Sequence, residues 1–124
     1  MNFSSRIAPE ESTIIDRERE EILKRIRNIE LNLDSPEMQQ KFENEKDESR
    51  KRDFVDQRKK IASLRSQLET AALEKIAGSL KKLEKDLLEG IKDLTQAIGK
   101  VENTVNILTT LKNVTGILGH VLSL

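Results

Sequence analysis

The stretch LLEGIKDLTQAIGKVENTVNIL, residues 87–108, decides the fold. Its residues Leu87, Ile91, Leu94, Ile98, Val101, Val105 and Leu108 stand four, three, four, three, four and three positions apart. Alternating threes and fours place all of them on one helical stripe, the pattern of a left-handed coiled-coil seam. Upstream, Ile61, Leu64, Leu68, Ala72, Ile76, Leu80 and Leu83 keep the same spacing, with runs of fours that act as stutters and locally unwind a supercoil. The register passes through Gly78-Ser79 with both residues on the outward side. A hairpin turn has no reason to preserve phase, so a helix is expected to continue through Gly78, although glycine costs it about 1 kcal/mol relative to alanine. Gly90 and Gly99 are softer points, where a bend or break is expected.

Downstream the apolar surface widens. On a helical wheel Ile107, Leu111, Val114, Leu118 and Val121 form the centre of one face. Ile117 and Leu124 extend it on one side, Leu122 and Leu108 on the other, giving an apolar arc of about 200°. One coiled-coil seam needs roughly half of that, so two or three neighbouring helices are expected here. The first helix and a second copy of the chain are the expected neighbours. The opposite face carries Thr109, Lys112, Asn113, Gly116, Gly119, His120 and Ser123, small and polar with little charge.

Toward the N-terminus the chain becomes strongly charged. Residues 1–60 hold 29 of the 44 charged side chains, and after Glu102 only Lys112 remains. Residues 1–8 read as a flexible terminus. A first helix is expected over 9–33, because Pro9 suits its first position, Glu10 and Glu11 suit the positive end of its dipole, and Ile15, Ile22, Ile26, Ile29 and Leu33 form one stripe. Glu20–Lys24 and Glu21–Arg25 can pair along it. Asp34-Ser35-Pro36 ends this helix, since the residue before a proline resists the α conformation, and Ser35 can cap the next one. Between Phe42 and Phe54 there is no large apolar residue, which fits either a charged loop or a solvated helix. The absence of Gly and Pro from 37 to 77, and the pairs Asp47–Lys51, Glu48–Arg52 and Asp56–Lys60, favour the helix.

The expectation is therefore an all-α, elongated helical bundle or coiled coil. A single helical domain would span 9–124, with a charge-rich helix over 36–60 and the seam and C-terminal face over 61–124. The long stretch from 36 to 122 would be continuous or bent.

Composition narrows the function. With Phe3, Phe42 and Phe54 as its aromatic residues and no cysteine, the chain has neither disulfides nor a thiolate nucleophile. His120 is its lone histidine, so a nucleophile–base pair has little to draw on. The acidic cluster Glu43, Glu45, Asp47, Glu48 lacks calcium-loop spacing, and the isolated glycines form no phosphate loop. No catalytic, cofactor or metal site is expected. The 22 basic residues are balanced by 22 acidic ones. Arg50-Lys51-Arg52 and Arg58-Lys59-Lys60 sit among acidic neighbours without an aromatic stacking platform, which argues against nucleic acid as a partner. The N-terminus MNFSSRIAPEES has no apolar core of a signal peptide, so a cytoplasmic location is expected.

What remains is association. The favoured reading is a non-enzymatic helical protein that forms homo-oligomers through the seam, in a structural or regulatory role. One alternative is a membrane-active or peripheral membrane protein using the wide face of 104–124, lying in the interface because Lys112 disfavours a span. The other is an adaptor or inhibitor docked on a different protein.

Overall fold

The computed structural model describes residues 8–123, which form five helices: α1 (Pro9–Leu33), α2 (Pro36–Glu43), α3 (Glu48–Thr70), α4 (Leu73–Gly99) and α5 (Thr104–Ser123). The protein is an all-helical bundle. Residues 1–7, which carry most of the expected flexible terminus, and Leu124 lie outside the described residues. The first helix has the expected bounds. Its stripe Ile15, Ile22, Ile26, Ile29 and Leu33 is buried, and Leu23 joins it. Ser35 caps α2, its hydroxyl accepting from the Met38 N–H at 3.3 Å. Of the helical ion pairs expected from spacing, Glu21–Arg25 forms at 3.0 Å.

The expected long stretch from 36 to 122 is instead divided at three places. At 44–47 the chain turns because Asp47 takes the N-cap of α3, its carboxylate accepting from the Ser49 N–H at 2.9 Å. That capping engages Arg50 and leaves Lys51 to Glu48, in place of the Asp47–Lys51 pair. At Ala71-Ala72 both residues are extended, and Arg19 of α1 reaches across to donate to the Ala71 carbonyl at 2.7 Å. This corner carries no Gly or Pro. It exists because folding back lets α4 bury its stripe inside the same chain.

The third break, at 100–103, has a defined geometry. The Val101 N–H donates to the Ile98 carbonyl and the Glu102 N–H to the Ala97 carbonyl, both at 3.0 Å. These are the two bonds of a Schellman C-cap, in which the residue making the left-handed turn is usually glycine. Here it is Val101, with φ of 48°. A β-branched residue in that region is strained by about 1–3 kcal/mol. Asn103 then starts α5 by accepting from the Asn106 N–H at 2.8 Å.

Four helices make the sides of the bundle. α4 packs on α5, α5 on α3, α3 on α1, and α1 on α4, so α1 and α5 face each other across one diagonal and α3 and α4 across the other. Paired residues give the directions. Glu30–Arg65 at 2.8 Å and Arg27–Glu69 at 2.9 Å run antiparallel between α1 and α3. Lys112–Asp53 at 2.9 Å and Thr115–Gln57 at 2.7 Å run parallel between α5 and α3. Glu11–Lys81 at 3.5 Å, with Ile22 and Leu88 lining one groove, makes α1 and α4 parallel as well. α4 and α5 form an antiparallel hairpin. α2 closes one end, where Phe42 stacks on Phe54 with ring centroids 3.7 Å apart. At 1.5 Å per residue the longest helix is about 40 Å long.

Two residues of α4 differ from their sequence reading. The helix does run through Gly78, which is exposed, but Ser79 is buried rather than outward. Its hydroxyl donates to the Val121 carbonyl at 2.6 Å, filling one of the carbonyls that the end of α5 leaves without an intrahelical partner. At Gly90 the helix is unbroken, and the residue is a buried contact point. A Cβ there would stand 3.1 Å from the Asn113 amide nitrogen and 3.4 Å from a Val114 methyl, so glycine is what lets α5 lie this close.

Replacing Ser79 by Ala strands the Val121 carbonyl, and the expected loss is about 1–2 kcal/mol in urea unfolding. Val101→Gly should act in the opposite direction. Relief of the left-handed strain exceeds the extra chain entropy of glycine, and a gain of about 0.5–1 kcal/mol is expected in the same measurement at low protein concentration.

Candidate interaction surface

The two apolar sets that the sequence offers to partners face each other. Leu87, Ile91, Leu94, Ile98 and Leu108 of the seam are buried inside the single chain. So are Ile107, Leu111, Val114, Leu118 and Val121 of the C-terminal face, against α4 and α3, while Ile117 and Leu122 are half-buried at its margin. The first helix, expected as a neighbour of this face, is its diagonal opposite. With the arc turned inward, α5 offers no wide apolar surface to lipid, and among the described residues no helix is long and apolar enough to cross a membrane.

Two seam positions fall outside this core. Val101 is 45% exposed and Val105 49%, at the end where α4 turns into α5. They do not join the buried stripe, because the turn at 100–103 rotates them out of its line. Val101 lies in a shallow cleft with Glu37, Lys41, Glu45 and Arg50. There the Thr104 hydroxyl donates to Glu45, the Asp47 N–H donates at 3.1 Å, and Arg50 pairs at 3.2 Å. The Thr104 bond first, then the Asp47 N–H, holds the Glu45 carboxyl below the usual carboxylate range.

The second uncovered region is the α1–α3 face. Leu31 is 72% exposed and Val55 47%, set among the pairs Arg65–Glu30, Arg27–Glu69 and Arg58–Asp34. Hydrogen bonds from Arg65 and then Arg27 hold Glu69 below its ordinary range. Half of the two basic clusters is engaged in ion pairs: Arg50 with Glu45, Lys51 with Glu48 at 3.7 Å, and Arg58 with Asp34.

A third feature was not read from sequence. Glu18 of α1 and Glu84 of α4 meet in the groove that Arg17, Glu21, Ile22 and Leu88 also line. Sharing a hydrogen bond with Glu18, and then burial, pushes the Glu84 carboxyl up to about 7. No spacing rule signals such a pair, because its members belong to helices more than sixty residues apart. His120 stands exposed on α5, and among the described residues no group of three metal-ligating side chains comes together. Compared with known protein families, curated proteins and solved structures, the chain matches none.

The carboxylates set opposite pH limbs. Glu84 binds its proton more tightly in the folded chain than in the unfolded one, so stability falls as pH rises from about 4.5 to about 7 and levels off above. Glu45 and Glu69 lose their stabilisation as pH falls below the ordinary value of 4.5. Glu84→Gln should abolish the slope between 4.5 and 7 and raise stability above that window, leaving the acid limb unchanged. Unfolding midpoints measured across pH check this. An unaltered slope in the variant would show that Glu84 does not carry it.

Proposed function

We propose that this protein is a structural or regulatory association module whose partner is a second copy of itself, with the contact centred on the α4–α5 turn. The observation that carries the reading is the mismatch at Val101 and Val105. Both belong by spacing to a stripe whose other members are buried, yet both stand half-exposed at the turn. They stand beside a cleft in which Glu45 is already held by Arg50 and Thr104, so covering the two aliphatic side chains leaves that carboxylate with its partners, which suits a protein contact. The reading treats the chain as a binding protein rather than an enzyme.

A docking role toward a different protein is favoured by one separate feature, the exposure of Leu31 and Val55 between ion pairs on the α1–α3 face. Membrane attachment draws no support from the closed bundle, since the wide face of α5 would first have to leave α3 and α4.

Sedimentation across a range of protein concentrations tests self-association. The wild type is expected to show a monomer–dimer equilibrium. Val105→Glu should weaken it about tenfold or more, since a buried carboxylate without a partner costs well over the 1.4 kcal/mol that a factor of ten represents. Circular dichroism should remain unchanged, because Val105 is not part of the core. A wild type that sediments as a monomer into the millimolar range would end this reading, and dimers lost with Leu31→Glu but kept with Val105→Glu would move the contact to the α1–α3 face.

A further inference from the structure

We infer that two copies associate by exchanging α5: the Lys100–Asn103 turn straightens, α4 and α5 become one continuous helix over 73–123, and each α5 packs on the α3 and α4 of the other copy. This rests on the self-association proposed above and specifies how it occurs.

Area is the first argument. Stable protein interfaces remove about 800 Å² from each partner, and two half-exposed valines on a closed bundle supply a small part of that. Exchange supplies the rest by reusing the whole face that α5 already buries against α3 and α4.

The turn itself is the second. It is short, it contains no glycine, and it holds Val101 at φ of 48°. Short connections under strain favour exchange over closure. In a continuous helix Val101 returns to the right-handed region, and the donors and acceptors at the turn gain ordinary helical partners.

Phase and register are the third and fourth. Ile98, Val101, Val105 and Leu108 keep the three–four spacing across the turn, which a closed hairpin does not require and a continuous helix does. Across the hairpin, Ser79 meets Val121 near the open end, and further in Gly90 meets Asn113 and Val114. This pairing converges on residues 101–102. Two straightened helices crossing there, antiparallel, place α5 of one copy on α4 of the other in the same register. Val105 then lies against Ile98 of the second copy and Val101 near its own equivalent, so the two exposed valines enter the seam. Bonds such as Ser79–Val121 and Lys112–Asp53 persist, now between copies.

The chain has no cysteine, so nitroxide labels can be placed through Lys82→Cys and His120→Cys, both exposed and opposite one another on the hairpin. Protein unfolded in guanidinium is refolded at high concentration with an excess of unlabelled chain, the dimer is isolated, and the distance within one chain is read by pulsed electron resonance. A closed hairpin gives under about 20 Å, since packed helices lie 8–10 Å apart. A continuous helix gives about 57 Å. The expected result is the long distance in dimer and the short one in monomer. Val101→Gly removes the strain of the turn and weakens the continuous helix, so it should raise the dimer dissociation constant about tenfold or more. A dimer with the short distance overturns exchange while leaving self-association standing. Failure to form any dimer overturns both, and a dimer unaffected by Val101→Gly removes the turn as its cause.

Discussion

The apolar arc of α5 is the constraint on which the bundle depends. From Leu108 on one flank to Ile117 on the other, with Leu111, Val114, Leu118 and Val121 between them, its apolar residues span more of the helix circumference than one neighbour can cover. α4 covers one flank as the other arm of a hairpin, with Gly90 permitting close approach. α3 covers the second flank. α3 and α4 sit on either side of α5, across a diagonal of the bundle, and the two-residue link Ala71-Ala72 joins them. α1 fills the remaining corner and covers the open sides of both. Each fully buried Leu or Ile is worth roughly 1.5–3 kcal/mol, so most of the stabilisation resides in the α4–α5 pair and the helices that flank it.

The charged half of the chain does a different job. α3 buries Phe54, Ile61 and Leu68 and little else. It is aligned on α1 by Glu30–Arg65, Arg27–Glu69 and Asp34–Arg58, spaced along the two helices. Ion pairs at a bundle surface contribute about 0–1 kcal/mol each, so the main effect of these half-buried ones is on register, since sliding α3 by one turn would bring like charges together. Glu18 and Glu84 run against this pattern. At the α1–α4 interface the hydrogen bond to Glu18, and then burial, make Glu84 hold its proton more tightly, which ties the fit of α1 on the seam helix to pH.

Sequence reading recovered which residues are buried better than what buries them. The stripe of α1, the Ser35 cap and the arc of α5 follow from spacing and local chemistry, and these are properties a helix carries alone. Spacing cannot distinguish a neighbour in the same chain from one in another copy, so the seam of α4 read equally well as an intermolecular surface. The break at Ala71-Ala72 leaves no local mark, since alanine is the best helix former and only the distant Arg19 engages the Ala71 carbonyl. Ser79 read as outward because the register of Ile76, Leu80 and Leu83 leaves it off the stripe. Its partner, the last turn of α5, is more than forty residues away. Of the candidate surface, Val101 and Val105 were legible by position and misread in setting. Leu31 and Val55 gave no signal, as isolated exposed apolar residues are common on any protein.

In most of the bundle, local preference and global fold agree: helix formers lie in helices, caps stand at helix starts, and apolar residues face the core. Agreement of this kind is what makes one state much lower in energy than its competitors. Besides the Ala71-Ala72 corner, residues 100–105 are the exception. Their spacing favours a helix that continues in phase, and the β-branched Val101 resists the left-handed region, whereas the fold demands a reversal with a left-handed residue at that position. A glycine at that position would remove the conflict, since the strain relieved exceeds the chain entropy that glycine adds. Gly99, two residues earlier, sits inside the last turn of α4 and cannot serve. In the exchange proposed above, this conflict would narrow the gap between the closed and extended arrangements at one hinge. Connectivity would change while the packing of α5 on α3 and α4 would not, because those contacts are indifferent to which copy supplies them.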